Sequence, residues 1–341
     1  ALMETLADYG TVQYFGVSTF TTGIFRTFYG YGDTAAAAQL AVGLLAFVML
    51  LVLLERYSRR RARYHSAVES KARADLIPLD GSKALIAFAL CLAPLLFGFM
   101  IPAAQLLYWA IFEAQPLGWD FVELAWNSFS LAFMAALIAV ILAIILSYAK
   151  RNKPIKPIST VIAISGFGYA LPGTIIAIGV LIPLAWMDHS IIAMFEGLGW
   201  DNPGLLLSGS LVALLFAYTV RFLAVALGSV QAGLDQIKPS LDHAGRSMGH
   251  SPWAILRQIH VPLMRGSILT AVLIVFVDVL KELPATLILR PFNFNTMAVR
   301  AYELASDERL VDAAPASIMI VLVGLIPVLM LHASISRRRP H

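Results

Sequence analysis

Residues 124–147 read LAWNSFSLAFMAALIAVILAIILS, an apolar run without a single charged side chain. A helix needs about 20 such residues to cross the hydrocarbon core of a bilayer, so the run is expected to span a membrane. Residues 268–288 form a second run of similar length. The whole chain follows suit, with 59% hydrophobic and only 13% charged residues over 341 positions, far more apolar than a water-soluble domain. The net charge of +4 is modest, and Lys and Arg cluster between the runs instead of forming a nucleic-acid-binding face. Cys91, the one cysteine, has no partner for a disulfide or zinc cluster and reads as a small buried hydrophobe.

Working outward, spans are expected over residues 34–54, 84–111, 126–149, 158–186, 203–228, 268–288 and 311–331, with a partial one before Gly10. Basic clusters at 56–63, 150–156, 238–265 and 337–339 all fall on one side of this alternation, which the positive-inside rule makes cytoplasmic. Glu113, Asp120, Asp188, Glu196, Asp201, Asp307 and Asp312 fall in the opposite loops, with Trp109, Trp119, Trp186 and Trp200 as an outer aromatic belt.

The beginning of the chain repeats its end. Glu4 aligns with Asp278, Leu6 with Leu280, Asp8 with Glu282, Phe20 with Phe294, Thr22 with Thr296, Arg26 with Arg300 and Asp33 with Asp307, without a gap. Residues 1–65 are therefore expected to be the C-terminal end of a first half of a longer polypeptide. Residues 66–83 read as a cytoplasmic linker, and 84–341 as a second, complete six-helix half. Both copies end on the same side, so the halves are parallel repeats with a path between them.

Between two spans, residues 241–263 read LDHAGRSMGHSPWAILRQIHVPL. Leu241, Ala244 and Met248 share one face of a short helix, Gly249 suits the positive φ of a helix stop, and Ser251-Pro252 is an N-cap followed by proline at the first helical position. Trp253, Leu256 and Ile259 or His260 make a second apolar face before Pro262. The segment is expected to be a helix-turn-helix elbow within a loop at 235–265.

This elbow resembles the EAA loop of binding-protein-dependent ABC permeases. The match rests on Ala244, Arg246, Gly249, Val261 and Pro262; His243 stands where that family has Glu, Gly245 where it has Ala, and Asp242 is placed to substitute for the missing acid. The resemblance implies an all-α polytopic transmembrane bundle with the MetI-like permease fold. It also implies a coupling role for Asp242, His243, Ala244, Arg246, Gly249, Ser251, Pro252 and Pro262. The implied partners are a pair of ATP-binding cassette ATPase subunits, a periplasmic or lipid-anchored substrate-binding protein and membrane lipid, with no nucleic acid and no cofactor. Implied localisation is the bacterial inner membrane. No phosphate-binding Gly-x-x-x-x-Gly-Lys-Ser/Thr loop occurs, so the chain is expected to be a transport subunit, not an enzyme.

Residues 4–17 and 20–26 further resemble ferric-iron permeases, with thiamine, polyamine and phosphonate permeases sharing the architecture. Charge offers separate support. Glu4 and Asp8, and likewise Asp278 and Glu282, lie four apart and hence on one face of a helix. Carboxylates at membrane depth are costly and usually face a cavity or a partner. They either line a path for a hard or organic cation or neutralise Lys281, Arg26 or Arg300; both readings stand at this point. No metal ligand set is assigned. His243, His250 and His260 read as solvated or docking side chains. Gly166, Gly168, Gly173 and Gly179 suggest close helix packing, Pro172 and Pro183 suggest kinks, and Arg221 marks either a path wall or a buried pair. A passive channel or intramembrane enzyme would need a selectivity segment or a nucleophile and base, and none is found.

Overall fold

The computed structural model describes residues 2–61 and 79–336. Seven long helices organise the described chain: α1 (Thr34–Arg61), α2 (Ser82–Glu113), α3 (Trp119–Asn152), α4 (Gly173–Gly197), α5 (Leu211–Asp235), α6 (Arg265–Leu280) and α7 (Leu310–Ser336). Among the described residues, α1 through α5 are each long and apolar enough to cross a membrane, and α6 qualifies together with the elbow helix bent 77° from it. The basic ends at 62–63 and 337–339, and most of the proposed linker, lie outside the described residues.

The core is the mutual packing of α3, α5 and α6. Lipid tails are as apolar as leucine, so such helices associate by close backbone approach, which small residues permit. Ala132, Ala136, Ala139 and Ala143 on α3, Ala226 on α5 and Ala271 on α6 are fully buried for that reason. At Gly233 of α5 a β-carbon would lie 2.5 Å from the Ser267 side chain of α6, so only glycine allows that crossing. By contrast α2 buries no residue along Ser82–Leu95, and Cys91 on it is exposed, not buried as expected. The helix is also interrupted by π-turns at Leu96–Met100 and Trp109–Glu113. The first lies between Pro94 and Pro102, where two missing N–H groups upset the i→i−4 ladder.

Three expected spans begin or break elsewhere. The run at 158–186 is two helices, Lys156–Ser165 and α4, joined by a short 3-10 turn, because Pro172 sits as the residue before α4 instead of kinking a continuous helix; Pro183 lies inside α4. The run at 203–228 enters its helix only at Leu211. The chain over 203–210 is held by Asp188, which belongs to buried α4 surface and not to an outer loop as expected. Its carboxylate accepts from Leu207 N at 2.9 Å, Ser208 N at 2.7 Å and Ser208 Oγ at 2.6 Å. Residues 268–288 break after Leu280, and a short helix, Pro284–Leu289, resumes beyond Leu283. The glycine expectation holds in part: a β-carbon at Gly168 would lie 2.0 Å from the Val220 carbonyl, whereas Gly179 has open space and Gly166 meets only its own local backbone.

Candidate functional site

The break after Leu280 places the membrane carboxylates. Glu282 lies past the end of α6, so it does not share a helix face with Asp278 as the spacing predicted. Instead its two oxygens accept from the backbone N–H groups of Ala285 and Thr286 at 3.1–3.2 Å and from Thr286 Oγ1 at 3.1 Å, capping the short helix. Free N–H groups at a helix start favour a carboxylate. Arg221 of α5 completes the arrangement, with Nη1 2.7 Å from Glu282 Oε1. The arginine is therefore a buried pair as well as a cavity wall, and sequence spacing could not show this because its partner lies 61 positions away. Gly173, at the start of α4, covers the pair so closely that a β-carbon would lie 2.2 Å from Arg221 Nη1 and 2.4 Å from Glu282 Oε1.

The stretch that aligns with this one in sequence makes a similar but sparser turn. Asp8, the counterpart of Glu282, accepts from Thr11 N at 3.3 Å, as Glu282 does from Ala285, the residue matching Thr11. Asp8 again sits in a break, between helices Leu2–Ala7 and Gly10–Tyr14. Asp8, Asp278 and Glu282 come together with Arg221, Lys281 and Tyr169 around one cavity of about 590 Å³. The Glu4 side chain lies outside the described residues. Lys281 Nζ is 3.1 Å from Asp278 Oδ1, so the carboxylates line this cavity and two of them are paired with cations, Glu282 with Arg221 and Asp278 with Lys281. Among the described residues no three His, Cys, Asp or Glu side chains group as metal ligands.

At the other end of α6 the elbow has the anticipated outline. Helix Ser240–Ser247 stops at Gly249, whose φ is +81°, and Ser251 Oγ accepts from Ala254 N ahead of Pro252. Leu241, Ala244 and Met248 do share a face, and it is turned to the outside, whereas on the second arm Leu256 and His260 turn inward. Leu241, Met248 and Trp253 are exposed, with Met248 at 68% and Trp253 at 66%, and so are His243, Ala244, Arg246 and Pro262; the buried side carries Asp242 and Gly245. Ile255 explains the glycine, since a β-carbon at Gly245 would touch its side chain at 3.0 Å.

Asp242 does not reach outward as a substitute acid. It is buried, with Oδ2 accepting from Arg151 Nε at 2.8 Å and Nη2 at 2.7 Å, and Oδ1 2.5 Å from His260 Nε2. Burial pushes the carboxyl pKa up, but the hydrogen bonds from Arg151 and His260 outweigh it and hold the group below the ordinary aspartate value. Arg151 also donates to the carbonyls of Leu234 and Ile237, and Tyr148 Oη donates to the Pro252 carbonyl at 2.7 Å. The end of α3, the end of α5 and the elbow are thus tied at one point. His260 is fully buried, a correction to its solvated reading, and belongs to this knot, not to a histidine cluster.

A multi-pass helical membrane bundle with a carboxylate-lined cavity at one end of α6 and a knotted elbow at the other defines the class of protein. The model of the family described as binding-protein-dependent transport system inner membrane component matches residues 139–339, well over half of the chain, and the chain belongs to that family. It is 26% identical over 335 residues to the Fe(3+)-transport system permease protein FbpB 2 of Haemophilus influenzae, covering 96% of this chain and 63% of that relative. It is 24% identical over 206 residues to the putative 2-aminoethylphosphonate transport system permease protein PhnV of Salmonella typhimurium, covering 59% and 72%. The chain thus spans less than two thirds of the iron-transport relative. A bacterial alginate ABC transporter chain superposes with a TM-score of 0.53 at 17% identity over 73% of this chain and 93% of that one, a likeness of fold.

Proposed function

We propose that the chain is the larger part of a permease subunit of an ATP-driven importer in the bacterial inner membrane. An outer binding protein delivers cargo to the cavity at Asp8, Asp278 and Glu282, and a pair of ATPase subunits drives the exchange of access from the cytoplasmic side. The observation that carries this reading is the elbow. Its inner face is fixed by the Asp242 knot while Leu241, Met248 and Trp253 stand exposed on a charged, membrane-flanking segment, and large apolar side chains left outside in this way mark an interaction surface.

Ferric iron is the cargo favoured by the iron-transport relative, whose similarity runs along nearly the whole chain, and by the oxygen-rich cavity. A second reading, an aminophosphonate, is favoured by Arg221 and Lys281, which put guanidinium and ammonium groups beside the carboxylates in a manner that suits a zwitterion. Cells expressing the full-length permease with its ATPase and binding protein should accumulate radioactive ferric iron, and Met248→Glu with Trp253→Glu should abolish that uptake while the subunit stays in the membrane. Accumulation of 2-aminoethylphosphonate in place of iron would select the second cargo. Uptake indifferent to both elbow substitutions would remove the docking role.

A further inference from the structure

A second cavity, of about 500 Å³, lies beside the Asp242 knot, between the ends of α3 and α5 and the helix Ser240–Ser247, and no ligand has been assigned to it above. Two groups lining it are anomalous. Ser147 Oγ and Gln231 Nε2 are buried with no hydrogen-bond partner among the described residues, and Ser147 is only 3% exposed. Hydroxyls within apolar helices ordinarily donate to the carbonyl four residues back. Ser128, Thr219, Thr270 and Ser317 all do so here, whereas Ser147 does not. Leaving a buried polar group unmet is unfavourable, and both groups have a hydrogen to donate. They ask for an acceptor that the protein does not provide.

The charges around the cavity say which acceptor. Lys150 and Arg246 line it, Arg246 being held by the neutral Asn152 Oδ1 at 3.0 Å. Arg151 and Asp242, which also line it, satisfy each other. Exposed Asp235 offsets one cation and leaves the cavity net positive. We propose that this cavity binds a phosphate-bearing anion, its oxygens accepting from Ser147 and Gln231 and its charge met by Lys150 and Arg246. Such a ligand bridges α3, α5 and the elbow helix and braces the elbow beside the Asp242 knot. Its position at the ends of the spans makes an anionic lipid headgroup one source and free phosphate the other. The site rests on the membrane placement of the bundle and is independent of the cargo.

The test places a thiol in the cavity by Gln231→Cys, with Cys91 and any other cysteine of the full-length protein replaced by serine. The protein, purified with the subunits it retains, is put into nanodiscs and its maleimide labelling rate is read. Labelling should slow roughly fivefold, the factor 1 + [L]/Kd at about a fourfold excess over Kd. Slowing in phosphatidylglycerol-containing discs relative to phosphatidylcholine discs identifies the lipid; slowing by inorganic phosphate in phosphatidylcholine discs identifies the soluble ion. Adding Lys150→Gln and Arg246→Gln should remove the protection without changing the rate in neutral discs. Protection by neither source, equal protection in the triple variant, or a thiol masked in neutral discs by an associated subunit would overturn the site.

Discussion

His260 Nε2 and Asp242 Oδ1 lie 2.5 Å apart although they sit on opposite arms of the elbow, 18 residues from each other. Nδ1 is buried with no partner among the described residues, so the ring is tied to the fold through its Nε2 contact with the carboxylate. Arg151 supplies the compensating charge. Arg151→Gln should destabilise the subunit by about 2–4 kcal/mol, because the carboxylate stays buried without its cation. Thermal unfolding in detergent should show the loss, and Asp242→Asn combined with Arg151→Gln should recover part of it.

The same carboxylate sets a pH dependence. Its pKa in the fold lies below the ordinary value, so its contribution is fully present above the unfolded pKa of about 3.9 and is lost as pH falls through the lower folded value. The stability difference between wild type and Asp242→Asn should be constant from neutral pH to about 5 and should shrink only in stronger acid. A difference that vanished near pH 6 would mean that the aspartate is not the titrating member.

Much of this architecture is legible in the sequence, for identifiable reasons. Hydropathy locates the spans because the bilayer fixes their length, and Gly249 with Ser251-Pro252 announces the elbow because helix stops and starts have local chemistry. The break at Lys281–Leu283 is hidden, since hydropathy records burial but not backbone direction. Arg221 could not be paired with Glu282 from spacing, as their meeting depends on how α5 crosses the end of α6. The sequence places Leu241, Ala244 and Met248 on one face but does not say which way that face turns, and the usual rule that apolar residues point inward would give the wrong answer here. That rule fails for Leu241 and Met248, where the interior is occupied by an ion pair and the apolar side is left outside.

Arg221 and Glu282 should behave as a unit. Arg221→Met alone leaves a carboxylate with 2% side-chain exposure beside a helix start, and should cost about 3–5 kcal/mol, while Arg221→Met with Glu282→Gln should cost clearly less. Unfolding of the wild type, Arg221→Met, Glu282→Gln and the double variant closes the cycle. Additive losses would show that the pair is not coupled.

Two glycines of α4 separate packing from flexibility. Alanine at Gly173 must push into Arg221 and Glu282 at 2.2 and 2.4 Å, and that contact cannot be relieved by a far, flexible methyl group, because both atoms are already held by hydrogen bonds. Overpacking of this kind costs about 1–3 kcal/mol, and here it also levers the pair away from the cavity wall, so transport should fall further than stability. Gly179 lies on the same helix with nothing within 4 Å of an added β-carbon. Gly179→Ala should therefore be neutral or stabilising by about 0.5–1 kcal/mol through the lower helix entropy cost. Measuring unfolding and cargo uptake for both variants distinguishes a cavity wall from a merely crowded helix: Gly173→Ala with wild-type uptake would place the pair outside the path, whereas a loss shared equally by Gly179→Ala would point to helix bending as the property that transport needs.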